Sequence, residues 1–157
     1  MPADAMTLIA SPGAIVILTA LIGFGFGPTP RALVYLAGLA LSLFTLVGYD
    51  QGLVASMTLV GAPGLALDIT PLRVDRLAFI FALIFHIAAA LNVIYAWRIG
   101  DRVQDASGLV YAGAAIGGAL AGDLLTLFVF WELAAISSVF LILAPGTRES
   151  LSAGMRY

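Results

Sequence analysis

The sequence predicts an all-α polytopic membrane protein: about five transmembrane helices plus the start of a sixth, with a short β-hairpin between helices 2 and 3. Three observations carry this expectation. Only 10% of the 157 residues are charged, against about a quarter in soluble domains, which is too little to clothe a water-facing surface. Mean hydropathy is +1.08 over the whole chain, so the apolar character is not confined to a core. The apolar runs are also long and uninterrupted, unlike the ~10-residue alternating segments of a membrane β-barrel.

The remaining composition excludes more than it identifies. A formal charge of −2 is too small to call for a nucleic-acid or acidic partner. All seven basic residues are arginine. The absence of cysteine rules out disulfides and thiolate metal sites. The opening MPADAMTLIA is acidic where a secretory signal is basic, so the first apolar stretch reads as a retained span.

A spanning helix needs ~20 mostly apolar residues, and five segments fit, at about 8–26, 32–49, 77–97, 106–122 and 124–143. Ser11 and Pro12 suit the start of the first helix, and the run Gly27-Pro28-Thr29-Pro30 is expected to end it. Gly48 and Asp50 close the second. Trp97 and Arg98 anchor the end of the third at an interface, and Pro145-Gly146 closes the fifth. The final ESLSAGMRY resembles the first residues of another helix, as in a truncated or split chain. The whole of 1–157 reads as one membrane domain.

Arginine placement sets an expected orientation. With the N-terminus outside, the inner side holds Arg31, Arg98, Arg102 and Arg148 and the outer side Arg73 and Arg76, in the sense of the positive-inside rule. The long second connection contains SMTLVG and LALDI around Ala62-Pro63-Gly64, a strand–turn–strand pattern that predicts a hairpin at about 54–70 on the outer surface.

Within this frame one residue stands out. Residues 127–138 read LFVFWELAAISS, which puts Glu132 near the middle of the fifth span. A charge at the bilayer centre costs ~2.5–3.5 kcal/mol on insertion scales, so an acid kept there points to function. A group that can take up and return a proton in mid-membrane is what a proton relay needs. Glu132 shares a helix face with Leu125, Phe128, Ala135, Ile136 and Val139, and small Ala135 leaves room beside it. Ser137 and Ser138 are expected to bond back to the preceding turn.

Other candidates are weaker. His86, midway along the third span, titrates in a useful range and could hand protons to Glu132, or could be a neutral hydrogen-bonding residue. Asp123 opens the fifth span, where a carboxylate suits the helix dipole. A funnel role toward Glu132 would have to bridge nine residues, ~13.5 Å of helical rise. Asn92 reads as interhelical glue, and Arg73 with Asp75 as an interface pair. In the fourth span, Gly113/Gly117 and Gly118/Gly122 form two small-xxx-small pairs for helix packing. The GFGFG run of residues 23–27 lacks the strand-to-helix setting of a nucleotide loop.

Residues 122–138, GDLLTLFVFWELAAISS, resemble the most recognisable segment of the antiporter-like membrane subunits. This superfamily includes the large subunits of Mrp-type multisubunit Na+/H+ antiporters and the proton-pumping subunits of respiratory complex I and membrane-bound hydrogenases. PLRVDRLAFIF (71–81) resembles the start of the family's third span, and Gly154-Met155-Arg156-Tyr157 the start of its sixth. The FWEL-plus-SS form is most similar to the D-type large chain of the Mrp antiporters. The resemblance covers the first third of a family member, so it implies the N-terminal portion of a larger fold of about fourteen spans. It also implies that Glu132 matches a fifth-helix glutamate paired with a lysine on a seventh helix outside this sequence. Nothing in the family pattern asks for His86.

The expectation that follows is a proton-translocating membrane subunit of a multisubunit antiporter, with exchange of H+ for Na+ as its finer form. Its partners would be other membrane subunits, in a bacterial plasma (inner) membrane. A proton-pumping subunit of a redox-driven complex and a non-conducting assembly subunit are the competing readings. The sequence shows no catalytic constellation, no metal-ligand spacing and no nucleotide loop, so neither cofactor nor metal is expected. The isolated chain reads as a transporter part rather than an enzyme.

Overall fold

The computed structural model describes residues 11–60, 66–154 and 156. Residues 1–10, which include the start of the expected first span, residues 61–65 within the expected hairpin, and Met155 and Tyr157 in the expected start of a sixth span lie outside them. Six helices and one hairpin follow in chain order: α1 (Pro12–Gly23), α2 (Pro28–Gly48), β1 (Leu53–Val60), β2 (Ala66–Val74), α3 (Arg76–Ala96), α4 (Arg102–Ala119), α5 (Leu124–Leu143) and α6 (Arg148–Gly154).

Local chemistry explains the boundaries. Both α1 and α2 begin on proline, whose fixed φ and missing N–H suit a first helical turn. The GPTP run therefore opens α2 and does not close α1, which ends earlier, at Gly23. The next three helices begin on aspartate. Asp75 accepts the Ala78 amide at 2.9 Å, and Asp101 accepts those of Val103 and Gln104 at 2.8 and 3.0 Å. Asp123 accepts the Thr126 amide at 2.8 Å. Each satisfies amides that have no partner inside the helix. The Asp101 cap starts α4 four residues before the expected 106, with Arg102 and Asp105 in its first turn.

Three helices, α2, α3 and α5, are long and apolar enough to cross a membrane, where five spans were expected. As described, α1 has 12 residues, ~18 Å of rise against a hydrocarbon core of ~30 Å. In α4, Arg102, Gln104 and Asp105 are followed by many glycines and alanines, which lowers its apolarity. The reason is positional: α4 packs against α1, α3 and α5, so protein covers much of its surface. By contrast the spanning helices expose large apolar side chains, among them Phe44 at 78%, Tyr95 at 80% and Trp131 at 69%. Side chains of this kind left outside a packed bundle are the mark of an integral membrane protein.

α1, α2, α3 and α4 form a ring, each packed on the next and α4 on α1, while α5 lies against α4 outside that ring. The core runs through the ring: Val16, Ala20, Tyr35, Leu39, Leu46, Ala82, Ala89, Val93, Leu109 and Ile116 are buried. α1 and α4 meet backbone to backbone. A Cβ on Gly13 would sit 2.7 Å from the Gly113 carbonyl oxygen and 2.7 Å from Gly117 Cα. On its other side Gly117 faces the Phe130 ring of α5.

The hairpin pairs antiparallel, and its register slips between Ala55 and Met57. Two residues of β2, Thr70 and Pro71, there oppose Ser56, a bulge that accommodates a residue with no amide to donate. The other edge of β2 is covered by the α4–α5 connection: Arg73 donates to the Leu120 carbonyl at 2.7 Å, and Gly122 to that of Thr70 at 2.9 Å. This covering leaves fewer unpaired edge groups to recruit another strand. Gly122 lies past the end of α4, where any side chain would collide with Thr70. It serves the hairpin contact and not the helix-packing pair expected with Gly118.

Leucine at position 117 cannot fit between α1 and Phe130. Gly117→Leu should lower unfolding free energy by at least the ~1–3 kcal/mol of an overpacked core, read as a lower thermal midpoint in lipid nanodiscs. Leucine at Gly118, where an added Cβ would come no nearer than 3.6 Å to the Leu127 side chain, should cost markedly less.

Candidate functional site: a mid-span carboxylate and two buried polar nodes

Glu132 is the ninth of the 20 residues of α5, and its side chain is exposed. Of its neighbours on that face, Leu125, Phe128 and Ile136 are exposed as well, while Ala135 and Val139 are half-buried. Among the described residues Glu132 joins neither of the two ion pairs. α5 is the least covered of the three spanning helices, with only Thr126 and Ser137 buried. The carboxylate therefore sits halfway along an apolar helix, exposed on a face that the described chain covers only in part. Ser137 and Ser138 donate back to the Ala134 and Ala135 carbonyls at 2.9 and 2.6 Å, leaving their hydroxyls committed within α5.

His86 lies elsewhere. It is the eleventh of 21 residues in α3 and only 2% exposed. Nδ1 is 2.7 Å from the Ala82 carbonyl, and Nε2 is 2.8 Å from Ser42 Oγ on α2. Ser42, itself fully buried, also lies 2.8 Å from the Pro12 carbonyl at the head of α1. Both ring nitrogens are thus engaged inside the ring of helices, and the structure does not bring His86 to Glu132.

Asp123 is likewise committed. Besides the Thr126 amide, it accepts the Thr126 hydroxyl at 2.7 Å and the Thr70 amide of β2 at 2.6 Å. Burial, the largest single influence, would raise its pKa, but these donors together outweigh it and hold the carboxyl below its usual range. Asp123 caps α5 and pins the hairpin to it. In the same region the expected pair of Arg73 and Asp75 forms at 2.7 Å, both side chains exposed.

The largest charged feature is one that sequence reasoning missed. Arg31, 1% exposed, pairs with Asp105 on α4 at 2.7 Å. Its Nε and Nη2 both donate to Asp105 Oδ2, at 3.0 and 2.7 Å, and its remaining bonds reach the Phe26 and Gly100 carbonyls at 3.2 and 2.8 Å. Gly100 turns the chain between α3 and α4 with φ 72°, a conformation glycine adopts readily. Arg31, expected as an inner-loop cation, is therefore a buried clamp joining both turns at one end of the bundle. Asp105 Oδ1 is buried without a partner among the described residues. It borders a cavity of about 10 Å³ shared with Tyr35 and Asn92, at the lower limit of room for one water. The available signal was topological: an up-and-down order of helices brings the start of α2, with Arg31, to the same end as the start of α4, where Asp105 lies.

A groove of about 700 Å³ runs between α3, α4 and α5. Phe81, Phe85, Leu127, Phe130 and Trp131 line it, with Ser138 deep along α5 and Arg73 and Asp75 among its polar residues. Glu132 is not part of this lining.

No protein-family model, curated protein or solved structure matches this chain.

Two outcomes follow. Arg31→Met should cost about 3–5 kcal/mol, because it leaves Asp105 buried and unpaired. The double change Arg31→Met, Asp105→Leu should recover most of that in equilibrium unfolding. At Asp123 the folded-state pKa lies below the ordinary 3.8, so its stabilising contribution is full above that value and is lost as pH falls through the lower, folded one. Asp123→Ala should cost about 0.5–2 kcal/mol and abolish the acid-dependent protection of the Thr70 amide in hydrogen exchange.

Proposed function

We propose that this chain is part of a proton-translocating membrane subunit of a multisubunit cation/proton antiporter, with Glu132 as its intramembrane proton and charge relay. The observation that carries the reading is the position of Glu132: mid-way along an apolar helix long enough to span, exposed, and flanked by exposed Leu125, Phe128 and Ile136. Lipid is a poor neighbour for that carboxyl, since an unpaired polar group in hydrocarbon costs several kcal/mol, by order of magnitude. What suits it is a further membrane helix bringing a hydrogen-bond donor or a cation against α5. By the resemblance to antiporter-like subunits that cation is a lysine, a residue this sequence lacks. A carboxyl whose partner charge can be moved alternates between holding and releasing its proton, which is the elementary act of a relay.

The same reading takes α1 and α4 as membrane-embedded with α2, α3 and α5, making five spans. It puts the subunit in a bacterial plasma membrane with the N-terminus outside, among other membrane subunits, moving H+ with Na+ as the counter-ion. The orientation leans on Arg31, Arg98, Arg102 and Arg148 against Arg73 and Arg76.

In the reconstituted complete complex, Glu132→Gln should reduce proton flux at least tenfold while subunit assembly on native gels stays intact. Flux equal to the unmodified complex would defeat the proposal.

A further inference from the structure

His86 and Ser42 have a geometry that the Glu132 reading does not use. Nδ1 of His86 faces a backbone carbonyl, which can only accept, so Nδ1 carries a hydrogen. That leaves Nε2 to the protonation state. Ser42 Oγ stands 2.8 Å from Nε2 and 2.8 Å from the Pro12 carbonyl, and its one hydrogen can point to either.

We propose that His86 and Ser42 form a proton-binding site in the core of the helix ring, separate from Glu132, in which reversal of the Ser42 hydroxyl satisfies both imidazole and imidazolium. With the ring neutral, Ser42 donates to Nε2, and the Pro12 carbonyl keeps the amide of the next helical turn. When a proton from the aqueous phase adds to the Nε2 lone pair, the Ser42 hydrogen rotates to the Pro12 carbonyl. The new Nε2–H then donates to Ser42 Oγ. Each state has all its donors paired and no heavy atom has to move. An ordinary buried neutral histidine needs only one such arrangement; here a second acceptor stands ready for the displaced hydrogen.

The charged groups nearby do not pre-empt the site. α1 carries no ionisable residue. On α2, Arg31 is paired with Asp105 and Tyr35 donates to the Ala20 carbonyl at 3.2 Å. α3 carries Arg76 and Tyr95, α4 Arg102, Asp105 and Tyr111, and β2 Asp68 and Arg73, and none of these is bonded to the ring. From the hairpin-side ends of their helices, His86 lies ~15 Å deep and Glu132 ~12 Å. The site is therefore at a depth comparable to that of the carboxyl, on a helix the carboxyl does not touch.

The chain contains one histidine, so histidine ring-¹⁵N magnetic resonance of the full chain in lipid bilayers reads this site alone. At neutral pH Nδ1 should be protonated and Nε2 bare but hydrogen-bonded. On acidification Nε2 should gain a hydrogen while the backbone shifts of Ala82 and Ser42 stay in place. Ser42→Ala should move the neutral Nε2 resonance toward its unbonded position, and Ser42→Thr, which keeps the hydroxyl, should restore it. A neutral ring with hydrogen on Nε2 and none on Nδ1 would overturn the proposal. So would an Nε2 that stays bare down to the pH at which the chain unfolds, or protonation that separates α2 from α3. None of these outcomes depends on the role of Glu132.

Discussion

Glycine on the inner faces of α1 and α4 is the constraint from which the rest of the arrangement follows. In lipid, helices gain little by hiding apolar surface from one another, and close van der Waals approach takes over that role. Gly13 meets the backbone of Gly113 and Gly117 directly, and the opposite side of Gly117 receives Phe130. α4 can consequently serve three neighbours at once, closing the ring with α1 and α3 while carrying α5 on its outside. Larger residues there would push α1 away and leave α5 without a seat.

Polar groups fall into two kinds once that frame is in place. Inside the ring they are matched: Arg31 with Asp105 and two carbonyls, His86 with Ala82 and Ser42. The hairpin is held by the same economy, with the Asp123 carboxylate and the 120–123 backbone meeting β2. These bonds join helices whose apolar surfaces alone specify no particular rotation or depth. Glu132 is the exception, lying on α5 outside the ring. The proposed relay rests on the contrast between the buried pair of Arg31 and Asp105 and one mid-span acid that joins no ion pair among the described residues.

Much of this was legible in the sequence. The membrane class, the aspartate that caps α5, the hairpin and the depth of Glu132 all follow from local composition, turn residues and position within an apolar run. The hairpin expectation of 54–70 found the pairing but stopped short of β2, because Pro71 reads as a strand breaker unless its missing amide can fall in a bulge. The proline run before α2 suggests an ending, although proline suits a beginning equally well. Apolar runs alone suggest spans at the first and fourth segments, whereas α1 as described has 12 residues and α4 opens on Arg102, Gln104 and Asp105.

What the sequence by itself determined is which segments are helical and how far along each one a polar residue sits, since these depend on residues within a few turns of one another. Only the tertiary structure decided which polar residues meet. Ser42 and His86 are 44 residues apart, and Arg31 and Asp105 are 74 apart. Their pairing depends on the rotation of each helix about its axis. A helix apolar on every side carries no stripe to announce that rotation, so it emerges only when close-packed glycines and buried hydrogen bonds lock neighbouring helices together.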